Sequence, residues 1–161
     1  MRKFYQNVCN CVLTFFLVTL LMPFTLMNAV AVFVRKAYFR CGWYLKHGRY
    51  GRKFLVVYSN DKRWREYFQS EIVPLICSSA VIVNVSERGA NRNSLERKTF
   101  RCWAGSQNDM PIVLFFSVFG RITEFRFLQA FMDVQDFNDN NQLNTLRSEL
   151  QLFSSSVLVQ I

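Results

Sequence analysis

Between Lys3 and Arg35 the chain carries no charged residue over 31 positions, and Val12 to Val34 is its most apolar part. As a helix rising about 1.5 Å per residue, that part is long enough to cross a hydrocarbon layer of about 30 Å. Pro23 falls near its middle, which membrane helices tolerate. After Arg35 the pattern changes to short runs. Lys53 to Tyr58 is apolar and β-branched, the form of a buried strand. Ser59, Asn60 and Asp61 then supply capping residues for a helix in which Trp64, Phe68, Ile72 and Leu75 recur at helical spacing, joined by Tyr67 and limited by Pro74. Ala80 to Val85 predicts a second strand. Asn93 or Ser94 caps a short helix that places Leu95, Thr99, Cys102 and Trp103 on one face. Met110-Pro111 leads a third strand, Ile112 to Val118. Phe119-Gly120-Arg121 predicts a tight connection to a fourth strand, Ile122 to Phe131, antiparallel to the third. A polar break from Asp136 to Asn141 precedes an amphipathic helix, Asn141 to Phe153, with Leu143, Leu146, Leu150 and Phe153 on one stripe.

These elements divide the chain into an N-terminal transmembrane anchor (1–34), a basic, aromatic juxtamembrane collar (35–52) and an α/β domain (53–161). Strands this apolar imply a mixed four-stranded sheet covered by helices on both faces. The domain is long enough to build one core without disulfides, and the chain's 17 phenylalanines suit it.

The net charge of +9 changes meaning once it is located. Residues 1–53 hold nine Lys or Arg and no acid, whereas residues 54–161 hold eleven of each sign. A domain of zero net charge lacks the footprint of a phosphate-backbone binder, so nucleic acid is excluded as its main partner. The cations flank the apolar segment instead. Seven lie between 35 and 53 against two before the segment, which by the positive-inside rule keeps the C-terminal side in the cytoplasm, as in a bacterial inner membrane. Ala29-Val30-Ala31 has the form of a signal-peptidase site. The length of the apolar run and the cations Arg35, Lys36 and Arg40 after it argue for an uncleaved anchor. Tyr38, Phe39, Trp43, Tyr44 and Tyr50 interleave with the cations as in a headgroup-level belt, so membrane lipid is an expected partner of anchor and collar. A protein partner is open as well.

Candidate chemistry is sparse. The five cysteines are odd in number and form no C-x-x-C pair, which fits a reducing compartment, and Cys77 and Cys102 read as small buried hydrophobes. His47 is the lone histidine and lies in the collar, which removes Ser-His-Asp, Cys-His and multi-His metal sites from the domain. Neither a P-loop nor a G-x-G-x-x-G turn is present. Asp133, Asp136 and Asp139 lack EF-hand spacing and read as a solvated loop. No cofactor or metal is expected.

The order strand–helix–strand–helix–strand–strand–helix, with Pro111 leading the third strand, resembles the thioredoxin-like fold over Lys53 to Phe153. The resemblance implies a cis-proline at Met110-Pro111 beside an active site in the loop after the first strand. It also marks a departure. Where thioredoxin-like oxidoreductases carry C-x-x-C or at least one cysteine, this chain has Ser59 to Trp64, so no thiolate can attack a disulfide. Val57-Tyr58-Ser59-Asn60 with Trp64, and Asn84-x-Ser86-Glu87-Arg88, are similar in style to small, uncharacterised, membrane-anchored bacterial proteins. The candidate ligand edge is therefore Ser59, Asn60, Asp61, Arg63 and Trp64, with Ser86, Glu87 and Arg88 after the second strand, and Met110 and Pro111. Capping alone also accounts for Ser59 to Asp61. The expected function is a membrane-anchored, redox-inactive thioredoxin-like binding or adaptor module. The alternatives are an enzyme of other chemistry using Ser59, Asp61, Arg88 or Cys102, and a small subunit of a membrane complex using Thr14, Thr19, Thr25 and Asn28 for helix contacts.

Overall fold

The computed structural model describes residues 2–87, 93–105, 110–117, 121–137 and 140–158, with side chains placed from Phe16 to Ser156 except Leu17. Arg88, Val118, Phe119, Gly120 and Asp139, and the side chains of Cys9, Cys11 and Thr14, lie outside the described set. The chain divides into two compact units, Met1–Tyr38 and Phe39–Ile161.

The first unit consists of most of helix α1, Arg2–Lys46, which runs unbroken through Pro23. Val18–Tyr50 contains a stretch of mean hydropathy 1.7, long and apolar enough to cross a membrane. Its large side chains, among them Leu20, Leu21, Phe24, Leu26 and Phe33, are exposed. Thr25 satisfies its hydroxyl locally, donating to the Met22 carbonyl at 2.8 Å.

The second unit is α/β. Its sheet has the order β2-β1-β3-β4, with β1 at Phe54–Tyr58, β2 at Ala80–Asn84, β3 at Ile112–Phe115 and β4 at Thr123–Arg126. β1 runs parallel to β2, with Phe54 opposite Ala80 and Tyr58 opposite Asn84. β3 is antiparallel to both β1 and β4, and Val57 pairs with Ile112. The side-chain alternation of a strand sends the residues of β1 to two different cores. Phe54, Val56 and Tyr58 join Trp64, Phe68, Ile72, Phe127 and Leu150 on one face, while Leu55 and Val57 join Trp43, Phe100, Ile112 and Leu114 on the other. All five residues of β1 are buried, as its unbroken apolar run implies.

Helices cover both faces. On the first lie α2 (Lys62–Tyr67), a π-type turn (Phe68–Ile72), α3 (Val73–Ile76), α5 (Leu128–Phe137) and α6 (Asn141–Leu158). The second face takes α4 (Leu95–Ala104) and the residues of α1 around Trp43. Of the two caps the sequence offers, Asn93 or Ser94, it is Ser94 that caps α4, accepting from the Arg97 amide at 3.3 Å. Gly51, at φ 74°, closes a 3-10 turn (Gly48–Tyr50) that leads into β1.

Several expectations need correction. The predicted strand Ile122–Phe131 ends at Arg126, and α5 starts at Leu128. Alternation holds only as far as Phe127. Beyond it Leu128, Phe131 and Val134 fall at helical spacing and all pack on the first core. α5 also absorbs Asp136 and Phe137, expected in a polar break, and α6 continues beyond Phe153 to Leu158. Pro74 does not end its helical run. It sits in the first turn of α3, directly after the π-type turn. Cys77 is exposed rather than buried, and Cys102 is half-buried.

The aromatic residues expected to form a headgroup-level belt are not all exposed. Tyr44 and Tyr50 are exposed, but Trp43 is only 2 % exposed and stacks on Phe116 at 4.4 Å. His47, next to it, is buried at 4.6 Å from the Trp43 ring.

Candidate functional site

The loops that follow β1 and β2 meet at the C-terminal end of this parallel pair. Asn84, the last residue of β2, joins them: its Nδ2 donates to Asn60 Oδ1 at 2.6 Å, and its Oδ1 accepts from the Ser86 amide at 3.1 Å. Ser86 Oγ in turn accepts from the Asn60 amide at 3.0 Å. The backbone continues the lattice, with the Val85 amide donating to the Tyr58 carbonyl at 3.0 Å. Behind it, buried Arg97 donates through Nη2 to the Val85 carbonyl at 3.0 Å, tying the β2 exit to α4.

The remaining sequence candidates fall into three groups. Ser59 faces inward, its Oγ accepting from Trp64 Nε1 at 3.2 Å, so the buried indole holds the loop down. Asp61 caps α2, accepting from the Arg63 amide at 3.0 Å, and forms a two-pronged pair with the Arg63 guanidinium. Arg63 also lies over the Trp64 ring at 4.5 Å. Glu87 is exposed at the outer margin.

Met110 and Pro111 are buried, and their peptide bond is cis. Because Ile112 pairs with Val57, Pro111 reaches the same end of the sheet as Tyr58 and the loop after it. Its carbonyl accepts from the Phe127 amide at 3.0 Å.

The electrostatics limit what this edge can do. The side-chain hydrogen bond from Arg63, with that from its backbone amide, holds the Asp61 carboxyl below the usual carboxylate range, and the same contact raises Arg63. A carboxylate held ionised in this way is a poor proton acceptor near neutral pH. Ser59 has Trp64 Nε1 as its neighbour, not a base that would activate it. The loop lattice therefore offers neutral amides, hydroxyls and carbonyls, with the Asp61–Arg63 pair and exposed Glu87 beside it. Among the described residues no group of His, Cys, Asp and Glu has the arrangement of a metal site.

Two features escape a reading of the sequence. Asn84 is the residue that unites the loops; the stretch Asn84-x-Ser86-Glu87-Arg88 stands out in the sequence, but the sequence does not place Asn84 itself on the candidate edge. The second is a cluster of three polar side chains where the end of α1 meets α4: Lys46, His47 just after α1, and Glu96. Glu96 Oε1, in the first turn of α4, lies 2.8 Å from Lys46 Nζ and 2.7 Å from His47 Nε2. Burial pushes the Glu96 carboxyl up, but the hydrogen bonds from Lys46, its own backbone amide and His47 outweigh that and hold it at about 2.

No protein-family model matches the sequence, and neither a curated protein nor a solved structure matches it. The functional reading therefore stands on the residues of this chain alone.

Proposed function

We propose that the chain is a membrane-anchored, redox-inactive thioredoxin-like binding or adaptor module whose α/β unit faces the cytoplasm. The observation that carries the binding reading is the Asn60–Asn84–Ser86 lattice. It fixes two loops at the end of a parallel strand pair, where open α/β sheets bind ligands, and contains neither a thiol nor an imidazole. Support for the fold-level resemblance comes from the element order β1–α2–β2–α4–β3–β4 followed by helices, and from the proline that leads β3. Anchoring is supported by the apolar stretch of α1, whose large side chains such as Leu20, Phe24 and Phe33 are exposed. A core helix of a soluble protein hides such a face. The cationic surplus after Val34 supports the cytoplasmic side.

Insulin reduction in the presence of dithiothreitol tests the redox part. The purified chain is expected to leave the rate at its uncatalysed value. Acceleration that disappears in Cys77→Ser or Cys102→Ser would replace this reading with a thiol enzyme. For the binding part, titration of the chain with a library of short polar peptides is expected to shift the Asn60 and Asn84 side-chain amide resonances together. Peptides that bind while leaving both unmoved would place the ligand elsewhere.

A further inference from the structure

At the end of β1 remote from the Asn60–Ser86 edge lies a cavity of about 450 Å³. Trp43, Tyr44 and Leu45 from α1 and Phe116 from the end of β3 give it apolar walls, and Arg40, Arg52 and Lys53 bring three cations to it. Among the described residues no carboxylate lines it. The walls are tied together: the Phe116 amide donates to the Lys53 carbonyl at 2.8 Å, and Arg40 Nη2 donates to the Ser117 carbonyl at 3.0 Å.

An apolar chamber carrying three positive charges is complementary to an amphiphile with an anionic head. The volume is that of a small-ligand site. In sequence, Arg40 to Leu45 lies shortly after the uncharged run, past Arg35 and Lys36, near the level where headgroups lie if α1 spans a bilayer. We propose that this cavity binds the phosphate headgroup and proximal acyl segment of an anionic phospholipid drawn from the surrounding membrane. The choice of the bilayer as source rests on the anchoring reading above. Free phosphate would leave the apolar walls unused. A zwitterionic lipid would bring its ammonium group toward Arg40, Arg52 and Lys53.

Cys41 gives a direct probe, because it lines the cavity and is exposed, while exposed Cys77 lies on the other side of the sheet at the end of α3 and serves as internal control. The full-length chain in nonionic detergent is treated with a thiol reagent, and modification of each cysteine is followed by peptide mapping. Short-chain phosphatidylglycerol is expected to slow Cys41 at least threefold and leave Cys77 unchanged, whereas short-chain phosphatidylcholine and inorganic phosphate change neither. Arg52→Gln with Lys53→Gln is expected to raise the half-protecting lipid concentration about tenfold, the loss of roughly one good charge-assisted contact. A thermal melt of that variant equal to the parent's shows that folding is not the cause. Equal protection by the two lipids, protection by phosphate alone, or indifference to the double substitution in a folded chain each overturns the proposal. The assay needs no bilayer, so loss of the chain from alkali-washed membranes would sink the anchoring reading without deciding this one.

Discussion

Replacing Glu96 by glutamine leaves the shape of the α1–α4 contact nearly intact and removes one charge. In the folded chain that carboxylate faces Lys46 and His47, both contributed by the end of α1. Its fall from 4.5 to about 2 corresponds to about 3 kcal/mol, at about 1.4 kcal/mol per pKa unit. Glu96 itself is 8 % exposed, but the Lys46 side chain is 55 % exposed, so solvent and salt screen its share. Glu96→Gln is therefore expected to cost about 2 kcal/mol at pH 7, or about 8 °C in Tm for a unit of this size. The pH dependence has a fixed sign. A carboxyl depressed on folding adds stability that is complete above its ordinary value of 4.5 and is lost as pH falls toward about 2. The parent and Glu96→Gln curves should thus differ from pH 7 to pH 5 and merge near pH 2. Tryptophan fluorescence reports the melt, since Trp43 lies against His47 and Phe116. A difference below about 0.5 kcal/mol at pH 7, or one that stays constant down to pH 3, would refute the coupling.

Other expectations follow from the same geometry. Phe68→Ala, which removes a fully buried ring that meets Phe127 edge-on at 5.1 Å, should cost about 3–5 kcal/mol in chemical denaturation. A loss below about 1 kcal/mol would mean the first core is not packed this way. Asn84→Ala leaves Asn60 Oδ1 and the Ser86 amide without their partner and should cost about 1–3 kcal/mol, with faster hydrogen exchange at the Asn60 and Ser86 amides. Unchanged exchange at both would show that the lattice does not hold the loops. Ser94→Ala should destabilise by about 1 kcal/mol through loss of the α4 cap, and Ser94→Asp should restore it. Failure of the aspartate to rescue would assign Ser94 another role.

The elements most legible in the sequence were those whose pattern is set by a single periodicity. β1 is buried on both faces and reads as an unbroken apolar run, and Ser94 announced α4. The junction at Phe127–Leu128 was misread because Phe125, Phe127, Leu128 and Phe131 are apolar on either a strand or a helix. Only the packing of Leu128 and Val134 separates the two. Of the loops gathered at the C-terminal ends of β1 and β2, the positions of Asn60, Ser86 and Pro111 were legible because strand ends place them there. Asn84 was not, since its meaning depends on a partner 24 residues away. Trp43 illustrates the same limit more sharply. Amid cations after an apolar run it reads as a membrane-belt aromatic, and nothing local in the sequence tells that Phe116 is waiting to cover it.

Protease protection of a C-terminally tagged, full-length chain bears most directly on the view of this protein as a tethered cytoplasmic module. The tag should survive in intact spheroplasts and be lost in inside-out vesicles, on a chain whose mass still includes Met1 to Ala31. A tag shaved from spheroplasts, or a mature chain beginning after Ala31, would contradict it.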